Sequence, residues 1–398
     1  MDKLFKSYCN IENAYNKSYI YKIFQHEYNT KYVISEKIHG SNLGFYINLK
    51  TLQTYFASRN CILDEDNFML NTVKIVFNKI KPDISKLIDN AKKVLKNEIN
   101  DYEYLCVFGE LFGGLYPHEN VEKDNHAVRI QKGVYYTPFN YFDAFDIALI
   151  RNKSDDELND VNELINSYKT ELEDTGEDNP DYKIIKNTIN NKIKSLEDQK
   201  NLPIIKYVDF NQFLDILKDT NIQSVPILKI CDTLKEALEF NKVFESEVYK
   251  QFNLPKIENN FAEGVVIKSI KEIAKNNGRI ILKNKNDKFA EISHHKKKED
   301  IDKTLAPETN ELINLLNDYI NENRLDSVLS KIPGPYKSND FGKLIKEFTK
   351  DILDEFNKYN NDKINKVKEL NEYKAFTKNL SNKASELLRK KFLELAKY

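Results

Sequence analysis

The chain has 398 residues, 40% of them hydrophobic, which is enough for real cores; at ~100–200 residues per domain its length suggests two or three domains. Its 61 Lys and Arg against 62 Asp and Glu leave a net charge of −1, so no globally basic surface announces a nucleic-acid partner, and any such binding must come from a local basic surface. Cys9, Cys61, Cys106 and Cys231 stand far apart with no CxxC pair, the N-terminus lacks an apolar signal segment, and no apolar run approaches the ~20 residues of a membrane span; a disulfide framework, a zinc site and a bilayer anchor are all disfavoured, and a soluble intracellular protein is expected.

The first part reads as short strands rich in β-branched and aromatic residues and punctuated by Gly or Asn: residues 32–36, 43–47 and 54–58. Val73, Ile75, Val76, Ile80, Ile84, Leu87 and Ile88 recur near helical spacing and predict one helix from about Asn67 to Asn97. Strands resume at 104–108 and 141–147. From Arg151 to Lys200 the period changes. Leu158, Val161, Leu164, Ile165, Tyr168 and Leu172 form one helical stripe. Tyr182, Ile185, Ile189, Ile193 and Leu196 form a second, beyond a breaker at Asp174 to Pro180. This predicts a helical hairpin inserted between strands, at residues 151–200. Strands at 263–269 and 279–285 close the segment. After His295 the pattern is helical, with stripes at 312–320, 341–356 and 380–392, so a domain boundary is placed near residue 297.

The chemistry-bearing residues sit at strand ends. Glu36-Lys37-Ile38-His39-Gly40-Ser41-Asn42 puts a lysine where a strand runs into a loop, with Gly three residues on. Taken alone, KxxG is an ordinary surface turn. It is followed in order by Ser58-Arg59-Asn60, Phe108-Gly109-Glu110, Phe145-Asp146, Glu263-Gly264-Val265-Val266-Ile267-Lys268 and Lys283-Asn284-Lys285, each at or within a predicted strand. An amine nucleophile attacking a phosphorus must be deprotonated, and a free lysine has a pKa of ~10.4. Positive charge from Lys283 and Lys285 would disfavour protonated Lys37 and would also neutralise charge building on a phosphate. Phe145 offers a flat face for a base, or is strand core. Glu110 and Glu263 can only accept, which suits ribose hydroxyls or a divalent metal. Arg59 can fork to phosphate oxygens. His39 is open between an orienting role and simple packing, and Asp146 between the site and the scaffold.

These motifs in this order resemble the RNA ligase 2 family, the phage nick-sealing RNA ligase and the kinetoplastid RNA-editing ligases. The Glu-Lys-Ile-His-Gly-Ser-Asn run and Gln131-Lys132-Gly133-Val134-Tyr135-Tyr136-Thr137-Pro138 carry the likeness, which covers roughly Ser35 to Lys298 apart from the hairpin. The resemblance implies an α+β fold: an antiparallel-sheet nucleotidyltransferase domain at 1–296 and an all-helical C-terminal domain at 297–398. It implies an ATP-dependent ligase that joins RNA 3′-OH and 5′-phosphate ends, in RNA repair or nick sealing, through lysyl-AMP and RNA-adenylate, with magnesium or manganese. On this reading Lys37 carries AMP, with Lys283, Lys285, Arg59 and Lys268 assisting. Glu36, Ile38, Asn42, Glu110, Phe145 and Glu263 bind nucleotide, and Glu110 and Glu263 are the metal candidates. The RNA is duplex or bridged by a template, and the hairpin is a place for a protein partner. Two other readings stand: a GTP-dependent capping-type guanylyltransferase, and a non-catalytic RNA-binding protein on a ligase fold. Capping enzymes and DNA ligases normally follow the last lysine motif with β-strands, whereas this chain follows it with helix-patterned sequence. Basic stretches at 294–298 and 389–391 read either as RNA contacts or as solvated surface.

Overall fold

The strands that bear these motifs are brought together by two antiparallel-rich sheets laid face to face, with Phe108-Gly109-Glu110 and Phe145-Asp146 inside their strands rather than at the expected ends. The computed structural model describes residues 4–25, 30–65, 67, 69–175, 182–275, 278–292, 302, 304–329, 332, 336 and 338–395. In chain order the elements are β1 (Glu12–Asn13), α1 (Lys17–Gln25), β2 (Tyr32–Glu36), β3 (Ser41–Asn48), β4 (Thr54–Ser58), α2 (Leu70–Ile80), α3 (Ile84–Leu95), β5 (Tyr104–Gly113) and β6 (Asn140–Arg151). There follow α4 (Asp155–Asp174), α5 (Tyr182–Lys200), β7 (Ile204–Tyr207), α6 (Phe210–Leu217), β8 (Gln223–Ser224), β9 (Ile227–Cys231), α7 (Leu234–Leu238) and α8 (Val248–Gln251). The last are β10 (Gly264–Ser269), β11 (Ala274–Lys275), β12 (Gly278–Arg279), β13 (Ile281–Lys285), α9 (Pro307–Asn317), α10 (Glu322–Leu329), α11 (Phe341–Glu369) and α12 (Tyr373–Leu395).

One sheet has the order β1-β13-β10-β2-β9 and the other β4-β3-β5-β6-β7, with β8 beside β6. The period-2 alternation of β5 shows how they pack. Leu105, Val107 and Leu111 face a core shared with α2, α3 and α6, while Cys106 and Phe108 face the other way, toward Ile281 and Val266 of the first sheet. The first sheet's far side is covered by α1 and α7 through Ile23, Leu234 and Ala237. Burying such side chains contributes about 1.5–3 kcal/mol each. Strand β2, which ends at Lys37, lies between β10 and β9, so its end is fixed from both sides.

The single helix expected over 67–97 is two helices, α2 and α3, joined by a 3-10 turn at Lys81–Asp83. Pro82 is the reason: it has no N–H to donate and its ring crowds the carbonyl four residues back. Ile75, counted in the apolar stripe, is 48% exposed. The hairpin forms as α4 and α5 between β6 and β7, with Ser154 and Glu157 making a reciprocal capping box at its start. Its seam is thin: Ile165 and Ile189 are buried, but Leu164 and Ile184 are exposed. The C-terminal stripes meet in one cluster built on Leu316, Phe348, Phe356, Phe376 and Leu388. The basic stretch 294–298 and most of the breaker at 174–180 lie outside the described residues. Among the described residues no helix is long and apolar enough to cross a membrane.

Gly264 shows why the Glu-Gly pair is needed. Its φ is +146°, and a Cβ there would lie 2.2 Å from the Asn284 carbonyl oxygen on β13. Gly264→Ala must therefore strain the backbone or separate β10 from β13, at a cost of about 2–4 kcal/mol. Urea unfolding should show that loss; a change below ~0.5 kcal/mol, the usual surface-substitution range, would contradict this packing.

Candidate active site

Lys37 follows β2 directly, and backbone bonds set its place. The Glu36 N–H donates to the Pro226 carbonyl and the Lys37 N–H to the Gly264 carbonyl, both at 2.9 Å. The loop beyond is held by the 131–138 segment, for which the sequence offered no role. The His39 N–H donates to the buried Tyr136 hydroxyl at 2.7 Å, and Gln131 Nε2 donates to the Gly40 carbonyl at 3.2 Å. The Gly40 N–H donates to Glu110 Oε1 at 3.1 Å. A Cβ at Gly40 would stand 2.3 Å from the Leu111 carbonyl oxygen, so glycine here follows from the close approach of β5.

The Lys37 ammonium meets Glu263. Lys37 Nζ donates to Glu263 Oε2 at 2.8 Å, His39 Nδ1 lies 3.4 Å from the same oxygen, and Lys285 Nζ is 2.9 Å from Oε1. Burial alone would raise the Glu263 pKa, but Lys285 and Lys37 outweigh it and hold the carboxyl well below the ordinary range. Lys285 also pairs with Glu291 at 2.5 Å, and Lys283 lies 3.8 Å from the other Glu291 oxygen. Burial pushes the Lys283 pKa down to about 8. The structure thus gathers Lys37, His39, Glu263, Lys283 and Lys285, with Glu110 bonded to the same loop. Burial raises the Glu110 pKa to about 7 despite the pull of Lys37.

A cleft opens beside Lys37, lined by Glu36, Ile38, Glu110, Phe145, Val266 and Lys268 among others. Phe145 reaches it through a β-bulge. Phe108 pairs with Asp146 and Gly109 with Ala144, so Phe145 has no partner across β5. The extra residue turns Phe145 and Asp146 to the same side of the sheet. Phe145 faces the cleft. Asp146, fully buried and not among the lining residues, accepts from Tyr8 Oη at 2.9 Å and Lys268 Nζ at 2.6 Å and pairs with Arg279 at 2.7 Å. Burial opposes ionisation of Asp146, but Arg279 and Lys268 hold its pKa below the ordinary range. Lys268 therefore borders the cleft with its ammonium already engaged. Tyr8 also lines the cleft and its ring lies 4.9 Å from that of Phe145; sequence reading had not singled it out.

The remaining expected residues sit apart from the lysine cluster. Arg59 donates to Asn10 at 2.6 Å just beyond β4. Asn42 lies opposite Glu110 in the β3–β5 ladder. Glu36 is buried at the cleft wall; one carboxyl oxygen accepts the Glu247 N–H at 2.8 Å and the other has no hydrogen-bond partner among the described residues. Of the two metal candidates, Glu263 already has three cationic or potentially cationic partners, while Glu110 accepts one backbone bond and faces the cleft. Glu110 thus fits a divalent ion that arrives on phosphate oxygens, as magnesium commonly does. Among the described residues no group of three or more His, Cys, Asp or Glu side chains is placed to hold a metal.

Burial lifts the Glu36 pKa to about 7, against the weaker pulls of Ser246, Glu247 N–H and Lys250. A carboxyl whose folded pKa is raised stabilises below its unfolded pKa and loses that contribution as pH climbs through the folded value. Nucleotide-free protein should therefore lose up to about 3 kcal/mol from this group between pH 4.5 and 7.5. Glu36→Gln should flatten the fall in Tm over that window; an unchanged slope would contradict the assignment.

The profile of the RNA ligase family matches residues 30–285, and that of the T4 RNA ligase 2 C-terminal region matches 303–386. The mitochondrial RNA-editing ligase 2 of Trypanosoma brucei is 23% identical over 157 residues, which is 36% of this chain and 36% of that protein. The chain thus spans about a third of the length of that curated relative. Solved structures of a Naegleria gruberi RNA ligase are also similar. A mutant with AMP and Mn gives a TM-score of 0.38 at 15% identity, over 72% of this chain and 58% of that one. A mutant with ATP and Mn gives 0.37 at 13%, over the same shares. The match over residues 30–285, with the C-terminal match beside it, places this chain in the RNA ligase family, in its RNA ligase 2 branch.

Proposed function

We propose that this protein is an ATP-dependent RNA ligase that seals 3′-OH and 5′-phosphate ends through an adenylate on Lys37. The observation that carries the reading is Lys37 itself. Its ammonium lies at the mouth of an apolar cleft with Phe145 on one wall, and through Glu263 it belongs to one ion-pair chain with Lys285. The cleft suits a base that stacks on Phe145, with Glu36 and Ile38 at its edge. Lys37 then lies where the α-phosphorus would sit, and Lys283 and Lys285 can take the charge that builds on the phosphate as pyrophosphate leaves. Glu110 and Glu263 are the acceptors for ribose hydroxyls. A divalent ion, magnesium or manganese, supplies charge neutralisation on phosphate oxygens, with Glu110 as its protein contact.

In the next step AMP passes from Lys37 to an RNA 5′-phosphate, and in the last a 3′-hydroxyl displaces AMP. Arg59 and Asn42, on the β3–β4 side of the lysine cluster, are assigned to these later steps. Lys268 supports the cleft wall through Asp146 and reaches the adenylate only by giving up that pair. Residues 1–296 carry the nucleotide chemistry and residues 297–398 engage RNA. The substrate is a nick in a duplex or ends bridged by a template, and the 151–200 hairpin is left for a partner protein. Base choice is the point at which a capping-type enzyme would differ. Glu36, whose buried carboxyl keeps one oxygen without a partner among the described residues, is the candidate contact for the base edge.

Incubation with α-labelled ATP or GTP and magnesium, followed by denaturation, should leave label from ATP on the polypeptide and none on Lys37→Ala. Label from GTP would favour the guanylyltransferase reading. A blank from both, repeated after pyrophosphate stripping of any resident adenylate, would favour a non-catalytic protein. A chain ending at residue 296 should still take label from ATP but fail to pass it to a 5′-phosphate; intact sealing by it would contradict the division of labour.

A further inference from the structure

Glu291 has no role in the reading above, yet it is the carboxylate that meets both lysines assigned to the phosphate. Its Oε1 accepts from Lys285 Nζ at 2.5 Å, and its Oε2 lies 3.8 Å from Lys283 Nζ. Lys285 is thereby shared between Glu263 and Glu291. Glu291 arrives there on the turn that follows β13, and the C-terminal helices grip the backbone of that turn. Asn323 Nδ2 donates to the carbonyls of Lys288 and Ala290, each at 3.0 Å. Asn321 Nδ2 donates to the Glu291 carbonyl at 2.8 Å, and Arg324 Nε donates to the same oxygen at 3.2 Å. Arg324 is 2% exposed, and its Nη1 is anchored in turn on Asp351 of α11 at 2.8 Å.

An anion at ion-pair distance from both lysines uses donors that a phosphate also needs, because an ammonium has only three. The directions of titration agree with a committed ion pair for Glu291 and Lys285, while burial holds Lys283 down. Burial would raise the Glu291 pKa, but Lys285 and Lys283 hold it well below the ordinary range. Carboxylates likewise raise Lys285 against burial.

We propose that Glu291 is a positioning residue, an internal counter-anion that holds Lys283 and Lys285 in the empty cleft and yields them to the phosphate of the incoming nucleotide. Its backbone is set by Asn321 and Arg324, so the C-terminal helices tune nucleotide affinity through it. This rests on the reading of Lys37 as the AMP carrier.

The test is the initial rate of lysyl-adenylate formation by the full chain across a range of labelled ATP concentrations. Glu291→Gln keeps the shape and removes the competing charge. The KM for ATP should fall about three- to tenfold, with a smaller change in kcat. Asn321→Ala, which touches neither lysine, should shift KM in the same direction by a smaller factor. A purely structural role would lower Tm and the yield of adenylate with KM unchanged. An unchanged or raised KM in Glu291→Gln, with the parent labelling normally, would overturn the counter-anion. An unchanged KM in Asn321→Ala alone would overturn the link to the helices. A parent that takes no label would remove the Lys37 reading and this inference with it. Should Glu291→Gln fail to fold, Glu291→Asp, which withdraws the charge by one methylene, should lower KM as well; no fall there would overturn the role.

Discussion

The site depends on one buried carboxylate. Glu263 is 3% exposed and stands between Lys37, from the end of β2, and Lys285, from the end of β13. A carboxylate this deep must be paired or it would not stay ionised, and removing a partner from such a pair commonly costs 3–5 kcal/mol. Glu263 therefore does more than pair with Lys37: it requires two strand ends to converge. Gly264, with a conformation that side chains rarely adopt, lets β10 come close enough to β13 for this to happen. A phosphate entering the cleft would find ammonium groups already assembled. It would have to compete with carboxylates for them.

A second buried carboxylate does comparable work behind the cleft. Asp146 joins the N-terminal segment through Tyr8, β10 through Lys268, and β12 through Arg279, whose guanidinium also lies 3.5 Å over the Tyr207 ring. The two sheets are thus tied at the level of Phe145. The bulge that points Phe145 into the cleft is the same irregularity that points Asp146 at these cations. The cleft-facing ring and the scaffold anchor are therefore set by one backbone feature.

Much of this was legible in the sequence, and the reason is physical. Residues placed at or within strands leave short, recognisable strings: Lys37, Glu263 and Lys285 lie at strand ends, whereas Glu110, Phe145 and Lys283 lie inside β5, β6 and β13, of which the first two run on past their expected ends. The strands, the hairpin and the C-terminal helices follow from apolar period, while the antiparallel pairing of the strands came with the resemblance. The single helix over 67–97 fails at Pro82, a breaker the apolar stripe concealed. Asp146 was left open between site and scaffold, because a Phe-Asp pair does not reveal a bulge. Tyr8 and Glu291 were missed because each lies far in sequence from what it touches or in a turn without period. Tyr8 reaches Asp146 across 138 positions. Glu291, six residues beyond Lys285, had a sequence signal only in its nearness to that motif. The supports of the loop after Lys37, Tyr136 and Gln131, lay in a string that had been noticed for its resemblance but had no mechanism attached.

The central claim is that the adenylate on Lys37 is an intermediate on the way to sealed RNA. The most direct measurement isolates the adenylylated protein, free of ATP, and mixes it in single turnover with a nicked RNA duplex bearing 3′-OH and 5′-phosphate ends. The account predicts that label leaves the protein, appears on the RNA 5′ end, and is then released as AMP while sealed RNA forms in equal amount. Label that stays on the protein, or is lost to water with no RNA-adenylate and no sealed product, would contradict it.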